Sequence, residues 1–137
     1  MKDSLASWSG AIDGTLPTFV VSTSSGSELP VLWVEELDTE HALGEMRATT
    51  GPGNAEFKPD AIQLPRKRPD GAAWNAELLR RVLVHEFGHA LGILGHSDDE
   101  ADAMYFQEGP TRSLPSKRDV NTLRMLYACP RDAFAEP

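Results

Sequence analysis

The segment from about residue 74 to residue 94 constrains the fold of this chain more than any other. It contains no proline, and its charged side chains lie in its first half. Apolar side chains fill nearly every side of its second half: Val82, Leu83, Val84, Phe87, Ala90 and Leu91. A helix with this pattern is buried in a protein core. The sequence therefore predicts a buried helix that begins at Ala72 or Trp74, reaches Leu94 and is ended by Gly92 and Gly95.

Three polar side chains interrupt the apolar half of this helix. His85 and His89 are four residues apart, so both imidazoles lie on the same helix face and can bind one metal ion. Glu86 points about a quarter-turn away, from where it can reach a metal-bound water without being a ligand. Buried polar groups are costly unless they are hydrogen-bonded or bind a metal, which argues against a chance match to H-E-x-x-H. The pattern indicates a zinc hydrolase.

A catalytic zinc needs a third protein ligand. His96 is the closest candidate, because Gly92 permits the sharp turn that would bring it back beneath the metal. His41 lies beside acidic residues and is expected to be a solvated loop side chain. Asp98, Asp99 and Asp102 are rival third ligands, and they could instead orient a ligand histidine through a hydrogen bond.

The whole chain, residues 1–137, fits one domain with one hydrophobic core. Ahead of the buried helix, the patterns predict a helix over residues 4–14 and strands over residues 17–23, 31–37, 45–50 and 61–64. Residues 96–115 read as irregular. A last helix over residues 117–127 would be opened by a capping box of Ser116 and Asp119.

The net charge and the composition limit the classes of partner that this chain is expected to bind. The net charge is -8, which does not favour binding to nucleic acid phosphates, and no apolar run is long enough to cross a bilayer. The single cysteine, Cys129, cannot form an internal disulfide and is expected to be a small buried residue at a helix end. The first residues lack the apolar stretch of a signal peptide, so the sequence does not assign a compartment.

The sequence resembles a known family over His85-Glu86-Phe87-Gly88-His89-Ala90-Leu91-Gly92, then Gly95-His96-Ser97, then Asp102-Ala103-Met104-Tyr105. These motifs are similar to those of metzincin metallopeptidases, and particularly to bacterial members of the matrixin branch, the matrix metalloprotease group. The resemblance implies an α+β zincin fold in which a small twisted mixed sheet packs on the active-site helix and a C-terminal helix follows a methionine turn. It also implies one catalytic zinc held by His85, His89 and His96, with Glu86 as general base and Met104 in the turn below the metal.

The resemblance implies a place for the substrate as well. Residues 45–50 would be the edge strand that binds an extended peptide by strand addition, with Met46, Ala48 and Tyr105 as substrate contacts. The loop from Phe106 to Pro115 would wall the pocket for the side chain that follows the scissile bond. Tyr105 could alternatively serve packing alone.

The sequence departs from the family pattern at three places. Three residues rather than two separate Gly92 from His96, a difference that Gly95 could absorb as a bulge. The family's first strand, ahead of the first helix, is missing. The histidine-aspartate cluster of a structural zinc and the cysteine switch are absent too, so a second zinc is not expected. Bound calcium is compatible with the sequence, although no motif supports it.

These patterns predict a monomeric zinc endopeptidase in which a Glu86-activated, zinc-bound water hydrolyses peptide bonds of a protein or peptide substrate. One alternative is a catalytically inactive, protease-like zinc-binding module that binds peptides or proteins. Another is a metallopeptidase of a different branch with an acidic third ligand. A secreted or periplasmic location would fit the family.

Overall fold

The computed structural model describes residues 2–11, 29–51, 57–106 and 112–128. These residues form three helices and a small mixed sheet of three strands, which confirms the predicted α+β class. No helix in these ranges combines the length and the apolar character needed to span a membrane. The elements in chain order are α1 (Lys2–Ala11), β1 (Val31–Val34), β2 (Glu45–Thr50), β3 (Phe57–Pro65), α2 (Ala76–Ala90) and α3 (Lys117–Ala128).

The strands are arranged in the order β1-β3-β2. The central strand β3 runs parallel to β1, where Ile62 pairs with Val31, and antiparallel to β2, where Ile62 pairs with Met46. Strand β2 therefore lies at an edge of the described sheet, as the resemblance implied. The predicted strand over residues 31–37 is shorter in the structure, and the one over 61–64 begins earlier, at Phe57. The predicted strand over residues 17–23 lies outside the described residues.

Helix α2 begins later and ends earlier than predicted. The side chain of Asn75 caps it by accepting a 2.8 Å hydrogen bond from the amide of Leu78, so the helix begins at Ala76. At the other end Gly92 has a φ of 103°, which breaks the helix after Ala90. The amide of Gly92 donates to the carbonyl of His89 at 2.9 Å, and that of Ile93 donates to the carbonyl of Gly88 at 3.1 Å. These two bonds form a Schellman motif, which satisfies the last carbonyls of the helix.

The core is built around α2, which packs against α1 on one side and against β2 and β3 on the other. Trp8 of α1 is 1% exposed, and its Nε1 donates a 2.8 Å hydrogen bond to the carbonyl oxygen of Val84. A buried indole N–H needs such a partner. The apolar half of α2 is buried as predicted, and the core cluster contains Trp8, Ile62, Leu64, Val82, Leu83, Val84, Phe87, Leu91, Ile93, Ala103, Met104 and Leu123.

The capping box of α3 is confirmed. The amide of Ser116 donates to Oδ2 of Asp119 at 2.7 Å, and the amide of Asp119 donates to Oγ of Ser116 at 3.1 Å. Oδ2 of Asp119 also accepts a 2.8 Å hydrogen bond from the amide of Ala103. The start of the last helix is thus joined directly to the turn that contains Met104.

Candidate metal centre

Three histidines meet at the end of α2. Nε2 of His89 lies 3.1 Å from Nε2 of His85 and 3.2 Å from Nε2 of His96. Two nitrogen ligands each about 2.0–2.1 Å from a tetrahedral zinc ion lie roughly 3.3 Å apart. The observed spacing therefore matches what one tetrahedral ion would require, and the three side chains are positioned to bind a metal.

Hydrogen bonds fix the protonation of the two helix histidines. Nδ1 of His85 lies 2.8 Å from the carbonyl oxygen of Ala103, and Nδ1 of His89 lies 2.6 Å from that of Ile93. A carbonyl only accepts, so each Nδ1 carries the proton and each Nε2 presents a lone pair. Burial, and then the charge of His89, lower the pKa of His85 to about 4, which keeps this ring neutral. Converging lone pairs without a proton between them fit a cation.

The additional residue before His96 is accommodated after the Schellman motif. Gly92, not Gly95, adopts the left-handed conformation, and a Cβ atom added to Gly95 would meet no heavy atom within 4 Å. The expectation that Gly95 absorbs the longer spacing is therefore not supported by any steric or backbone requirement at that residue. Leu94 and Gly95 are exposed, and His96 still reaches the other two histidines.

Glu86 is held against the sheet beside this cluster. It is 5% exposed, its carboxyl group is hydrogen-bonded by the backbone amide of Met46, and a Cβ atom added to Gly44 would lie 2.9 Å from its Oε1. Burial, opposed by that hydrogen bond, raises the pKa of Glu86 to about 8. Glu86, His85 and His89 line the same cavity. The segment just before β2 thus provides the close approach that fixes this carboxyl group.

Met104 lies in a turn that packs against α2. It is 2% exposed, and a Cβ atom added to Gly88 would lie 2.2 Å from its sulfur. Gly88 lies between His85 and His89 in the sequence. The Met104 thioether therefore packs against the stretch of helix backbone that carries these two histidines. The resemblance assigned this residue to the methionine turn.

The three aspartates considered as rival ligands have other partners. Oδ2 of Asp102 accepts from Oγ of Ser97 at 2.6 Å, and Oδ1 accepts from Oγ of Ser116 at 2.5 Å. Asp98 and Asp99 form ion pairs with Arg118. Within the described ranges, the cluster able to hold a metal consists of the three histidines. The structure therefore favours His96 over an acidic third ligand.

An open cavity of about 500 Å³ surrounds the cluster. Two of the three predicted substrate contacts, Met46 and Tyr105, line it, whereas Ala48 lies farther along β2, beyond an irregularity in the strand pairing, and does not. His41 is solvated as predicted, with 74% of its side chain exposed, and it lies at the rim with a φ of 63°. Phe106 lines the cavity, and residues 107–111 of the predicted pocket wall lie outside the described residues.

Sequence patterns did not identify several residues that build this centre. Gly44 and Gly88 are required by close approaches between elements, which a sequence spacing does not reveal. The sequence of α3 is that of an ordinary amphipathic helix, so it does not indicate a role for Arg118. The one sequence feature that marks Arg118 is its place beside the capping box. The hydrogen bond from Trp8 to α2 likewise joins positions far apart in sequence, which a local pattern does not reveal.

Comparison with protein-family models identifies a family for this chain. The family model described as matrixin matches residues 24–128, which include α2, the three histidines, the turn at Met104 and α3. Neither the curated proteins nor the solved structures contain a match to this chain.

Proposed function

The chain belongs to the matrixin family, and we propose that it is a zinc-dependent endopeptidase. One observation carries this proposal. Nε2 of His89 lies within 3.2 Å of Nε2 of both His85 and His96, in a cavity that Glu86 also lines. In the proposal His85, His89 and His96 bind the metal, and Glu86 is the general base.

The donor set fits zinc. Neutral imidazoles suit zinc, and a catalytic site typically has three protein ligands with one position left for water or substrate. Zinc bound there would supply Lewis acidity, polarising the scissile carbonyl and making water a better nucleophile. The carbonyl oxygens of Ala103 and Ile93 would keep two of the ligand rings in the required orientation.

Glu86 would move the proton. Its carboxylate would accept a proton from the attacking water and donate that proton to the leaving amine when the peptide bond breaks. A cation bound by the neighbouring histidines would favour the ionised carboxylate, opposing the effect of burial on its pKa. The hydrogen bond from Met46 and the close approach of Gly44 would hold the carboxyl group in place during both transfers.

Strand β2 would hold the substrate. It lies at an edge of the described sheet and Met46 faces the cavity, so an extended peptide could pair with its free edge. Tyr105 and Phe106 add apolar surface to the lining of the cavity. An extended segment of a protein or peptide is therefore the substrate class that we propose.

The assay is cleavage of casein or a quenched peptide by the zinc-loaded protein, with and without a chelator. We expect chelator-sensitive cleavage by the wild type and its loss in Glu86→Gln, while the zinc content of that variant stays at one ion per chain. Cleavage by Glu86→Gln at the wild-type rate would refute the role of Glu86. A wild type that binds zinc through these histidines but cleaves nothing would instead be the inactive peptide-binding module.

A further inference from the structure

Arg118, in the first turn of α3, binds the segment that follows His96. Its Nε lies 3.2 Å from Oδ2 of Asp102, its Nη1 lies 3.3 Å from Oδ2 of Asp99, and its Nη2 lies 3.6 Å from Oδ1 of Asp98. Nη2 also lies 3.4 Å from Oγ of Ser97. One guanidinium therefore contacts four side chains between residues 97 and 102.

This segment connects the third histidine to the methionine turn. Ser97 follows His96 directly, and its amide donates a 2.7 Å hydrogen bond to the carbonyl of Met104. Its hydroxyl donates to Asp102 at 2.6 Å, and Asp102 is itself almost fully buried. Arg118 thus contacts both ends of a short loop, Ser97 at one end and Asp102 at the other.

His96 lacks the support that the helix histidines have. His85 and His89 each donate from Nδ1 to a backbone carbonyl, whereas within the described part of the chain no carbonyl or carboxylate accepts from Nδ1 of His96. His96 is also exposed. Among the described residues, its ring is therefore oriented by contacts with His85 and His89 and by the backbone on either side of it, which on the C-terminal side is the loop held by Arg118.

The charges of the 97–102 loop also indicate that Arg118 holds it in place. Four carboxylates within residues 98–102 repel one another, and a cation that pairs with three of them, Asp98, Asp99 and Asp102, reduces that repulsion. The planar fork of an arginine can bind several oxygens in fixed directions, which a lysine ammonium cannot do. We infer that Arg118 is a positioning residue that holds the 97–102 loop so that His96 can complete the metal site, an inference that rests on the proposed zinc-binding function.

The test is zinc affinity, measured by competition with a chromophoric chelator. Arg118→Met keeps the aliphatic stem and removes the guanidinium. We expect it to weaken zinc binding roughly tenfold, the loss typical of removing a residue that orients a metal ligand. In a His96→Ala background the same substitution should change the affinity by less than about twofold, because the side chain that Arg118 positions is gone. A loss of purely structural origin would appear equally in both backgrounds.

A control is available at an arginine that does not line the cavity around the histidines. Arg66 pairs with Glu35 at 3.0 Å, and its side chain is 59% exposed against 60% for Arg118. Arg66→Ala should leave zinc affinity unchanged. Arg118→Lys should bind zinc with an affinity between those of Arg118→Met and the wild type, since it restores the charge without the fork. If circular dichroism shows that Arg118→Met does not fold, Asp99→Asn removes one arm of the same contact and should show the same dependence on His96.

Two results would overturn the inference: zinc affinity in Arg118→Met within about twofold of the wild type, or an equal loss in the His96→Ala background. Neither outcome touches the proposed function, which fails separately if His85→Ala binds zinc as well as the wild type does.

Discussion

Gly88 of α2 lies so close to the side chain of Met104 that no side chain at position 88 would fit between them. A Cβ atom added to Gly88 would lie 2.2 Å from the sulfur of Met104 and 2.9 Å from Cζ2 of Trp8. Met104 is 2% exposed and Trp8 is 1% exposed, so neither side chain can withdraw into solvent. The backbone between the two helix histidines is therefore packed from below by a thioether and an indole.

Gly88→Ala should destabilise the protein by about 1–3 kcal/mol, the usual cost of overpacking a filled core. Because Met104 must move, the substitution should also weaken zinc binding. Urea unfolding of the metal-free protein and chelator competition measure the two effects. Gly95→Ala is the control, since its Cβ would meet nothing and its φ is not left-handed. Equal stability of the two variants would contradict the contact described above.

Gly44→Ala should affect catalysis rather than metal binding. Its Cβ atom would lie 2.7 Å from Cγ1 of Val82 and 2.9 Å from Oε1 of Glu86, so the carboxyl group must shift. A displaced general base can lower the rate about a hundredfold. We expect kcat/KM for a quenched peptide to fall by about tenfold or more while zinc affinity stays within about twofold of the wild type. Unchanged kcat/KM would mean that Glu86 does not need this position.

Trp8→Phe should destabilise the protein by about 1–3 kcal/mol through the loss of the hydrogen bond to Val84 and of part of a buried ring. Zinc affinity should fall less than in Gly88→Ala, because Trp8→Phe adds no atom against the backbone that carries the histidines. Denaturant unfolding checks this prediction. Trp33→Phe, at a ring that is 42% exposed, should cost less than about 0.5 kcal/mol. A Trp8 variant as stable as the Trp33 variant would refute it.

The metal-free protein should be most stable near pH 6.5. The pKa of His85 falls from 6.5 to about 4 on folding, so stability is lost as the pH drops from 6.5 towards 4. The pKa of Glu86 rises from 4.5 to about 8, so its contribution is complete below pH 4.5 and is lost as the pH rises towards 8. The pKa of His89 is also lowered, so below pH 6.5 the two histidines outweigh the glutamate.

Glu86→Gln isolates the upper part of this profile. Without the titrating carboxyl group, the decline in stability between pH 6.5 and about 8 should disappear, while the loss below pH 6.5 should remain. Urea midpoints measured in the presence of a chelator give both parts of the curve. A decline above pH 6.5 that is the same in the variant and the wild type would rule out Glu86 as its source.

Local patterns in the sequence predicted the parts of the fold that depend on local chemistry. The apolar surroundings of His85 and Glu86 predicted a buried helix, and the pair Ser116 and Asp119 predicted the start of α3, both of which the structure confirms. The ends of α2 were misplaced because Asn75 and Gly92 stop it by capping geometry, which competes with continued apolar periodicity.

Contacts between distant elements could not be predicted in the same way. Nothing in the residues around Gly44 reveals that Glu86 lies against it, because the contact joins positions far apart in sequence. The role of Arg118 likewise depends on where the 97–102 loop lies relative to α3. For the centre itself, the two helix histidines followed from spacing, whereas His96 was the closest of several candidates for the third ligand and was singled out by the family resemblance.

The Schellman motif explains why the third histidine tolerates an unusual spacing. Ile93, whose amide takes part in this motif, also accepts the hydrogen bond from Nδ1 of His89 through its carbonyl, so the support of His89 is complete before Leu94. Leu94 and Gly95 lie in an exposed stretch between that completed frame and the loop that carries His96. An additional residue here lengthens only the exposed connection at Leu94 and Gly95. Ile93 before it and Ser97 after it keep their backbone hydrogen bonds, so the chain can vary in length there without changing the geometry of the centre.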